Sequence, residues 1–159
     1  MKKEFICTST EPIVDTKQGK LRGFQLGSTY TFYGVKYADA KRWQQPVPPA
    51  PWDGVRDALS YGHVSPTSHP DSPNGDIMVP HRFWPKNEDC QYLNIRTQSI
   101  GRNAGKPVMV WLHGGGFSDG SSVEMPTYDG HNLSEFGDVV VVTLNQRRNI
   151  LGYLNVSQY

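Results

Sequence analysis

Short, uniformly apolar segments separated by loops are the main pattern along this chain. Residues 108–112 read Val-Met-Val-Trp-Leu, and residues 138–145 contain four consecutive valines. Segments this short, without alternation between apolar and polar positions, are typical of strands buried on both faces of a parallel sheet. Residues 92–95 (Tyr-Leu-Asn-Ile) form a third candidate. The pattern therefore predicts three buried strands in an α/β sheet.

The amino-terminal part carries shorter strand-like segments at residues 13–14, 20–24 and 29–35. Turn signals at Gln18-Gly19 and Gly27-Ser28 separate them. Apolar segments joined by tight turns favour hairpins. We therefore predict an antiparallel meander on the edge of the sheet.

Proline dictates the structure of the next part of the chain. Four prolines between residues 45 and 52 exclude a helix and an interior strand there, so we expect an extended surface segment. Residues 57–61 predict a brief helical turn, and residues 132–136 predict a short helix. Residues 62–86 contain five prolines and no periodicity. A loop of this length is either a solvent-exposed connection or a functional rim.

Composition narrows the possible partners. The chain has 16 Lys and Arg against 15 Asp and Glu, so no basic patch predicts a nucleic-acid partner. No segment approaches membrane-spanning length, and residues 1–10 lack the apolar stretch of a secretory signal. We therefore expect a cytoplasmic protein without a membrane partner, whose two cysteines are reduced. The mean hydropathy of −0.56 is low for a chain with doubly buried strands. Part of the core is therefore expected to lie outside this chain.

Metal and cofactor motifs are missing from the sequence. The five histidines form no HExxH motif, and the two cysteines form no CxxC motif. The glycines at 114–120 match neither a phosphate-binding loop nor a dinucleotide fingerprint. Glu88 and Asp89 are adjacent, so we expect them in ion pairs or caps and not as an acid–base pair. We expect neither a metal nor a cofactor.

The clearest chemical signal follows residues 108–112, where the chain reads His113-Gly114-Gly115-Gly116. Consecutive glycines allow a tight loop at the carboxyl end of a strand, which is where open α/β sheets bind ligands. They also expose backbone N–H groups that no Cβ shields. The sequence matches the His-Gly-Gly-Gly loop that forms the oxyanion hole of lipases and esterases. A plain glycine-rich turn is the alternative that four residues alone leave open.

Four segments, in order along the chain, resemble the motifs of one enzyme family. They are residues 33–38 (Tyr-Gly-Val-Lys-Tyr-Ala), 51–58 (Pro-Trp-Asp-Gly-Val-Arg-Asp-Ala), 88–95 (Glu-Asp-Cys-Gln-Tyr-Leu-Asn-Ile) and 110–117, the last followed by 120–122, 128–130, 145–147 and 152–154. The family is that of the type-B carboxylesterases, which includes para-nitrobenzyl esterases and cholinesterases. The resemblance covers nearly the whole chain from about residue 13. It implies an α/β-hydrolase fold, of which residues 1–159 would form the amino-terminal portion of a mostly parallel sheet.

The resemblance also implies roles for individual residues. Gly115 and Gly116 would donate the oxyanion hydrogen bonds, Gly114 would serve the geometry of the loop, and Phe117 would line the acyl side of the pocket. No serine has the strand-to-helix context of a nucleophile elbow. The serine, acid and histidine of the triad are therefore expected on a carboxyl-terminal remainder, supplied as a second chain. The expected substrate is a small-molecule carboxylic ester.

Two consequences concern the cysteines and the stability of the chain. Secreted relatives pair the cysteine at the position of Cys90 with one upstream, but residues 62–69 contain none. Cys90 is therefore expected to be a free, packed thiol, with Cys7 as a remote alternative partner. A sheet that lacks neighbouring strands exposes apolar faces, so we expect the chain to be ordered only when docked to the remainder.

Two other functions compete with a split or cleaved esterase. The first is a catalytically inactive, truncated or binding-only member of the same fold. An intact oxyanion loop argues against it, since a binding module does not need three glycines there. The second is a self-sufficient hydrolase that uses Ser121 or Ser122, although the flanking residues do not match those of a nucleophile elbow.

Overall fold

The computed structural model describes residues 3–67, 80–101, 103–155 and 157. Two α-helices, α1 (His131–Gly137) and α2 (Asn149–Gly152), and a short 3-10 helix, Pro126–Tyr128, accompany the strands. The strands are β1 (Phe5–Ile6), β2 (Ile13–Asp15), β3 (Lys20–Arg22), β4 (Phe24–Leu26), β5 (Thr29–Lys36), β6 (Val55–Asp57), β7 (Tyr92–Thr97), β8 (Val108–Trp111) and β9 (Val140–Leu144). None of the described helices is long and apolar enough to cross a membrane.

Six of the strands form one mixed sheet in the order β1-β4-β5-β7-β9-β8. All neighbours in this sheet are antiparallel except β8 and β9, which pair in parallel from Val108 opposite Val140 to Trp111 opposite Thr143. The α/β architecture predicted from the sequence is therefore present. In this part of the chain its parallel pair lies at one edge and antiparallel strands lie at the other.

The predicted meander is divided between two sheets. β2 and β3 pair with each other and with β6 in a three-stranded sheet, whereas β4 and β5 belong to the large sheet. The continuous strand predicted for residues 20–24 is therefore wrong, because the chain changes sheets at Gly23. A Cβ on Gly23 would lie 2.2 Å from the carbonyl oxygen of Thr31. Only glycine allows this close crossing.

The helical turn predicted for residues 57–61 is also wrong. β6 pairs in parallel with β3, and the extended conformation continues to Ala58. The Ala58 N–H donates to Arg22 O at 2.7 Å, and the Ala58 carbonyl accepts from the Tyr33 N–H at 2.8 Å. Both backbone groups are thus used by neighbouring strands and are unavailable for a helix. The helix predicted for residues 132–136 is confirmed as α1.

The hydrophobic core joins the two sheets. Its buried centre consists of Leu21 from β3, Phe32 from β5 and Ala58. Partly buried side chains from both sheets and from the adjoining loops pack around it: Val14, Tyr30, Val35, Trp52, Ile95 and Ile100. The three-stranded sheet therefore packs against the large sheet through this core.

The other edge of the large sheet is open. The strand predicted at residues 108–112 is confirmed as β8, but its predicted burial is wrong for this chain, since Val108 is 62% exposed and Leu112 is 66% exposed. Among the described strands, β8 pairs with β9 alone, and α1 packs on β5, β7 and β9. A run of apolar side chains this exposed is unusual for a monomeric soluble protein.

Candidate functional site

The glycine loop follows β8 directly at its carboxyl end. Gly115 has φ +122° and Gly116 has φ +58°, both in the left-handed region that side chains disfavour. A Cβ on Gly115 would lie 1.8 Å from the carbonyl oxygen of Asp119, so this position requires glycine. Among the described residues other than the immediate chain neighbours, no heavy atom lies within 4 Å of a Cβ added at position 114 or 116. The loop therefore folds tightly on one side and faces open space on the other.

Backbone hydrogen bonds hold the second half of the loop. The Gly115 carbonyl accepts from the N–H groups of Ser118 at 3.1 Å and Asp119 at 2.9 Å. The Phe117 carbonyl accepts from the Asn149 N–H at 2.8 Å, which ties the loop to the start of α2. The N–H groups of Gly115 and Gly116 donate to no other group in the described part of the chain. Two adjacent backbone donors are thus left unpaired.

Two buried side chains, His113 and Arg148, hold the first half of the loop. Arg148 Nη2 lies 3.2 Å from the His113 carbonyl oxygen and 3.1 Å from the Gly114 carbonyl oxygen. The same nitrogen lies within 2.9 Å of both ring nitrogens of His113. His113 Nδ1 is also 2.9 Å from the Gly114 carbonyl oxygen.

The His113 ring is neutral over most of the physiological pH range. Burial, reinforced by the Arg148 charge, lowers the pKa of His113 to about 4, and the contact with the Gly114 carbonyl only partly offsets this. A neutral ring offers one nitrogen as an acceptor for Arg148, whichever tautomer is present. His113 is therefore a support of the loop and not a proton carrier at neutral pH.

Phe117 lies at the exposed end of the loop, with φ +66° and 67% of its surface accessible. Its ring centroid is 5.0 Å from that of Tyr153, in an edge-to-face arrangement. Ile150 and Leu154 near Tyr153 are exposed as well. An apolar, aromatic surface therefore borders the unpaired donors.

The candidate serines are engaged in structural contacts. Ser121 and Ser122 are buried, the Ser122 hydroxyl accepts from Asn94 Nδ2 at 3.2 Å, and the Ser121 hydroxyl accepts from the Val123 N–H at 3.4 Å. None of the described serine hydroxyls hydrogen-bonds a described histidine. This arrangement lacks the base that a nucleophilic serine needs.

Ser118 was not identified as a candidate from the sequence. Residues 116–120 read Gly-Phe-Ser-Asp-Gly, which has the Gly-x-Ser-x-Gly spacing of a nucleophile elbow. Ser118 lies inside the loop and not between a strand and a helix. Its hydroxyl donates to Asp119 Oδ2 at 2.8 Å. The spacing is therefore present without the structural context that gives it meaning.

The remaining predictions about charged residues and thiols are confirmed. Glu88 pairs with Arg42, and Asp89 pairs with Lys36 at 3.0 Å. Both cysteines are free, and Cys90 is fully buried, which raises the pKa of its thiol to about 11. The expected absence of a metal stays a prediction, and the described residues contain no group of three or more His, Cys, Asp or Glu side chains that could hold a metal ion. Residues 68–79 of the 62–86 loop, which include His69, lie outside the described residues.

A family comparison agrees with this geometry. The model of the carboxylesterase family matches residues 10–158, so the chain belongs to that family. It is 36% identical over 155 residues to the para-nitrobenzyl esterase of Bacillus subtilis, covering 94% of this chain and 30% of the relative. It is 39% identical over 150 residues to the phenmedipham hydrolase of Pseudarthrobacter oxydans, covering 91% and 30%.

Solved structures give the same fold. An esterase from Clostridium hathewayi, described as able to hydrolyse aliphatic aromatic polyesters, superposes with a TM-score of 0.92 at 55% identity. The match covers 99% of this chain and 31% of that one. A PNB esterase structure superposes with a TM-score of 0.78 at 35% identity, covering 93% and 30%. The chain spans about 30% of the length of these relatives and corresponds to the amino-terminal part of a type-B carboxylesterase.

Proposed function

We propose that this chain supplies the oxyanion hole of a carboxylic ester hydrolase, with Gly115 and Gly116 as the two donors. The observation that carries the proposal is the pair of unpaired, adjacent N–H groups in a loop whose conformation is otherwise held by hydrogen bonds. Donors that are fixed before reaction are the ones that stabilise a developing negative charge effectively. Membership of the carboxylesterase family supplies the class of reaction.

The proposed chemistry is acyl transfer through a serine. Attack of the serine on the ester carbonyl produces a tetrahedral intermediate whose oxygen carries the negative charge. The N–H groups of Gly115 and Gly116 would bind that oxygen, and the open space beside Gly116 leaves room for its approach. Phe117 would contact the acyl part of the substrate. Gly114 contributes through its carbonyl, which anchors the loop.

We further propose that residues 1–159 form part of a single α/β-hydrolase domain that a second polypeptide completes. That polypeptide would bring the serine, acid and histidine, and would cover β8. Two observations support this: the chain spans about 30% of its relatives, and the apolar side chains of β8 are exposed. The free thiols of Cys7 and Cys90 fit our proposal of a cytoplasmic location.

The proposed substrate is a small carboxylic ester with an apolar or aromatic acyl group. The edge-to-face pair of Phe117 and Tyr153 borders the donors and is exposed. Aromatic rings bind one another well in this arrangement. The polyester-hydrolysing relative from Clostridium hathewayi gives independent support for aromatic esters.

The proposal is tested on the protein purified together with everything bound to it. Native mass spectrometry followed by denaturing mass spectrometry should show this chain in stoichiometric association with a second polypeptide. The assembly should hydrolyse p-nitrophenyl butyrate, and a serine-directed phosphonate should label a serine outside residues 1–159. An assembly without ester turnover would overturn the proposal and favour a binding-only protein. Labelling of Ser118, Ser121 or Ser122 would place the nucleophile in this chain instead.

A further inference from the structure

Arg148 is a buried cation that forms no ion pair with a carboxylate of the described residues, although the charges of Asp119 and Glu124 act on it from a greater distance. Its residue surface is 2% exposed, and no carboxylate of the described residues lies within ion-pair distance. Its Nε is buried without a hydrogen-bond partner. Burying a charge without an ion-pair partner costs free energy, so the other contacts of Arg148 must compensate for that cost. Within the described part of the chain, its Nη2 hydrogen-bonds only to the ring and carbonyl oxygen of His113 and the carbonyl oxygen of Gly114.

These contacts determine the direction of one donor. In a trans peptide the C=O and the following N–H point in opposite directions. Because the Gly114 carbonyl faces Arg148 and His113, the Gly115 N–H faces away from them, towards the open side of the loop. The Gly116 N–H is directed in the same way by the Gly115 carbonyl, which accepts from the N–H groups of Ser118 and Asp119 and from the Ser118 hydroxyl at 3.4 Å, and not from Arg148. The two donors thus have different supports.

We propose that Arg148 is a positioning residue for the Gly115 donor, a role that rests on the proposed function. The guanidinium holds the Gly114–Gly115 peptide plane in place. Its charge also polarises that peptide, because a hydrogen bond to an ionised donor is stronger than one between neutral groups. A polarised carbonyl makes the N–H of the same peptide a stronger donor to an oxyanion. Arg148 therefore acts on the reaction without touching the substrate.

A matched control lies next to Arg148 in the sequence. Arg147 Nη1 donates to the carbonyl oxygens of Lys41 and Gln44, both outside the glycine loop. Arg147→Met therefore removes an arginine of similar chain position without disturbing the loop. Arg148→Lys keeps a charge but loses the planar, multi-donor geometry of the guanidinium. Arg148→Met removes both.

The kinetic test uses the complete esterase, this chain together with the polypeptide that carries the triad. Active sites are titrated with a phosphonate, so that kcat refers to folded enzyme only. For Arg148→Met we expect kcat for p-nitrophenyl butyrate to fall about 30- to 100-fold with KM within about 2-fold, somewhat less than the 10²–10³-fold typical of losing an oxyanion donor outright. Arg148→Lys should recover at least about a quarter of the transition-state stabilisation that Arg148→Met loses. The kcat of Arg147→Met should stay within about 2-fold of that of the unmodified enzyme. An unchanged kcat per titrated site in Arg148→Met would reduce Arg148 to a structural role.

A second measurement does not depend on ester turnover. With ¹⁵N-glycine in this chain, the amide resonance of Gly115 in the assembled protein should shift in Arg148→Met, while that of Gly116 should change little. If Arg148→Met does not fold, Arg148→Lys takes its place in both experiments. Absence of turnover in the unmodified assembly would defeat the proposed function, and the Gly115 resonance then decides the positioning role separately. An unshifted Gly115 resonance would overturn the positioning role of Arg148.

Discussion

Nη2 of Arg148 lies 2.9 Å from Nε2 of His113, and both side chains are buried beside the glycine loop. A protonated imidazole has only donors to offer, so this contact requires a neutral ring. The pair therefore links the protonation of one histidine to the conformation of the proposed oxyanion hole.

The first prediction concerns the pH dependence of stability. The pKa of His113 is lowered from 6.5 to about 4 on folding, so between these values the unfolded chain binds the proton and the folded chain does not. The contribution of His113 to stability is therefore fully present above about pH 6.5 and is lost as the pH falls towards 4, by up to about 3 kcal/mol. Urea unfolding of the complete protein at several pH values should show this loss. In His113→Gln the slope between pH 6.5 and 4 should be smaller, and an equal slope in both proteins would contradict the account.

The second prediction concerns Gly115, the position at which the loop has no room for a side chain. Gly115→Ala places a Cβ within 1.8 Å of the Asp119 carbonyl oxygen at a φ of +122°. We expect ester turnover per titrated site to fall at least about 100-fold, because the donor pair is displaced. Gly101→Ala is the control, since an added Cβ there lies within 4 Å of no described residue beyond its chain neighbours. Its turnover should be unchanged, and a Gly115→Ala enzyme of normal activity would show that the loop does not act as proposed.

The third prediction concerns the buried arginine beneath the loop that precedes α1. Arg96 is buried, and its Nη2 lies 2.6 Å from Asp129 Oδ2 and 2.6 Å from the Tyr33 hydroxyl. Asp129→Asn leaves this charge without its ion-pair partner. Because Asp129 is itself partly exposed, we expect a loss of about 2–3 kcal/mol, below the 3–5 kcal/mol of a fully buried pair. Urea unfolding measures it.

A surface ion pair provides the control for that experiment. Asp138 pairs with Lys106, is largely solvent-exposed and has φ +49°, a conformation that asparagine also tolerates. Asp138→Asn should therefore change the free energy of unfolding by less than about 0.5 kcal/mol. Equal effects of Asp129→Asn and Asp138→Asn would mean that the Arg96 pair contributes no more than a surface contact.

The fourth prediction concerns the open edge of the sheet. If the second polypeptide covers β8, a charge there must be desolvated on assembly. Val110→Asp should therefore weaken association at least about 10-fold, a cost of 1.4 kcal/mol or more. Val55→Asp is the matched control, because Val55 is exposed to a similar degree, 44% against 52% for Val110, and lies in the three-stranded sheet. Native mass spectrometry over a concentration series compares the two, and equal affinities would argue that β8 is not the docking edge.

The sequence predicted the positions of strands better than their burial and their pairing partners. The apolar pattern at residues 108–112 correctly indicates a strand, but the burial that the pattern also predicts is absent from the described structure, in which the side chains of β8 are exposed. The extended path at Ala58 depends on pairing with Arg22 and Tyr33, which are distant in the sequence, so local propensity could not reveal it. The change of sheet at Gly23 has the same origin.

Only part of the site was predicted from the sequence, because some of its contacts join residues that are distant along the chain. The three glycines are recognisable in the sequence as a motif. Gly115 requires the absence of a side chain through its φ of +122° and the nearby Asp119 carbonyl, and Gly116 is favoured by its φ of +58°, whereas neither reason applies to Gly114. Arg148 was missed, since its role depends on folding back onto His113 and Gly114 across more than thirty residues of sequence. The sequence indicates Arg148 only indirectly. Two consecutive arginines follow the predicted buried strand after one residue, at a place where a charge is unexpected unless it has a specific contact.

Gly115 and Gly116 are proposed to bind the oxyanion. The most direct measurement is a crystal structure of the complete esterase with a trifluoromethyl ketone, whose carbonyl carbon the serine attacks to leave a tetrahedral oxyanion. The account predicts that this oxygen lies about 2.7–3.1 Å from the backbone nitrogens of both Gly115 and Gly116. An oxygen held by donors outside this loop, with both nitrogens beyond hydrogen-bonding distance, would contradict it.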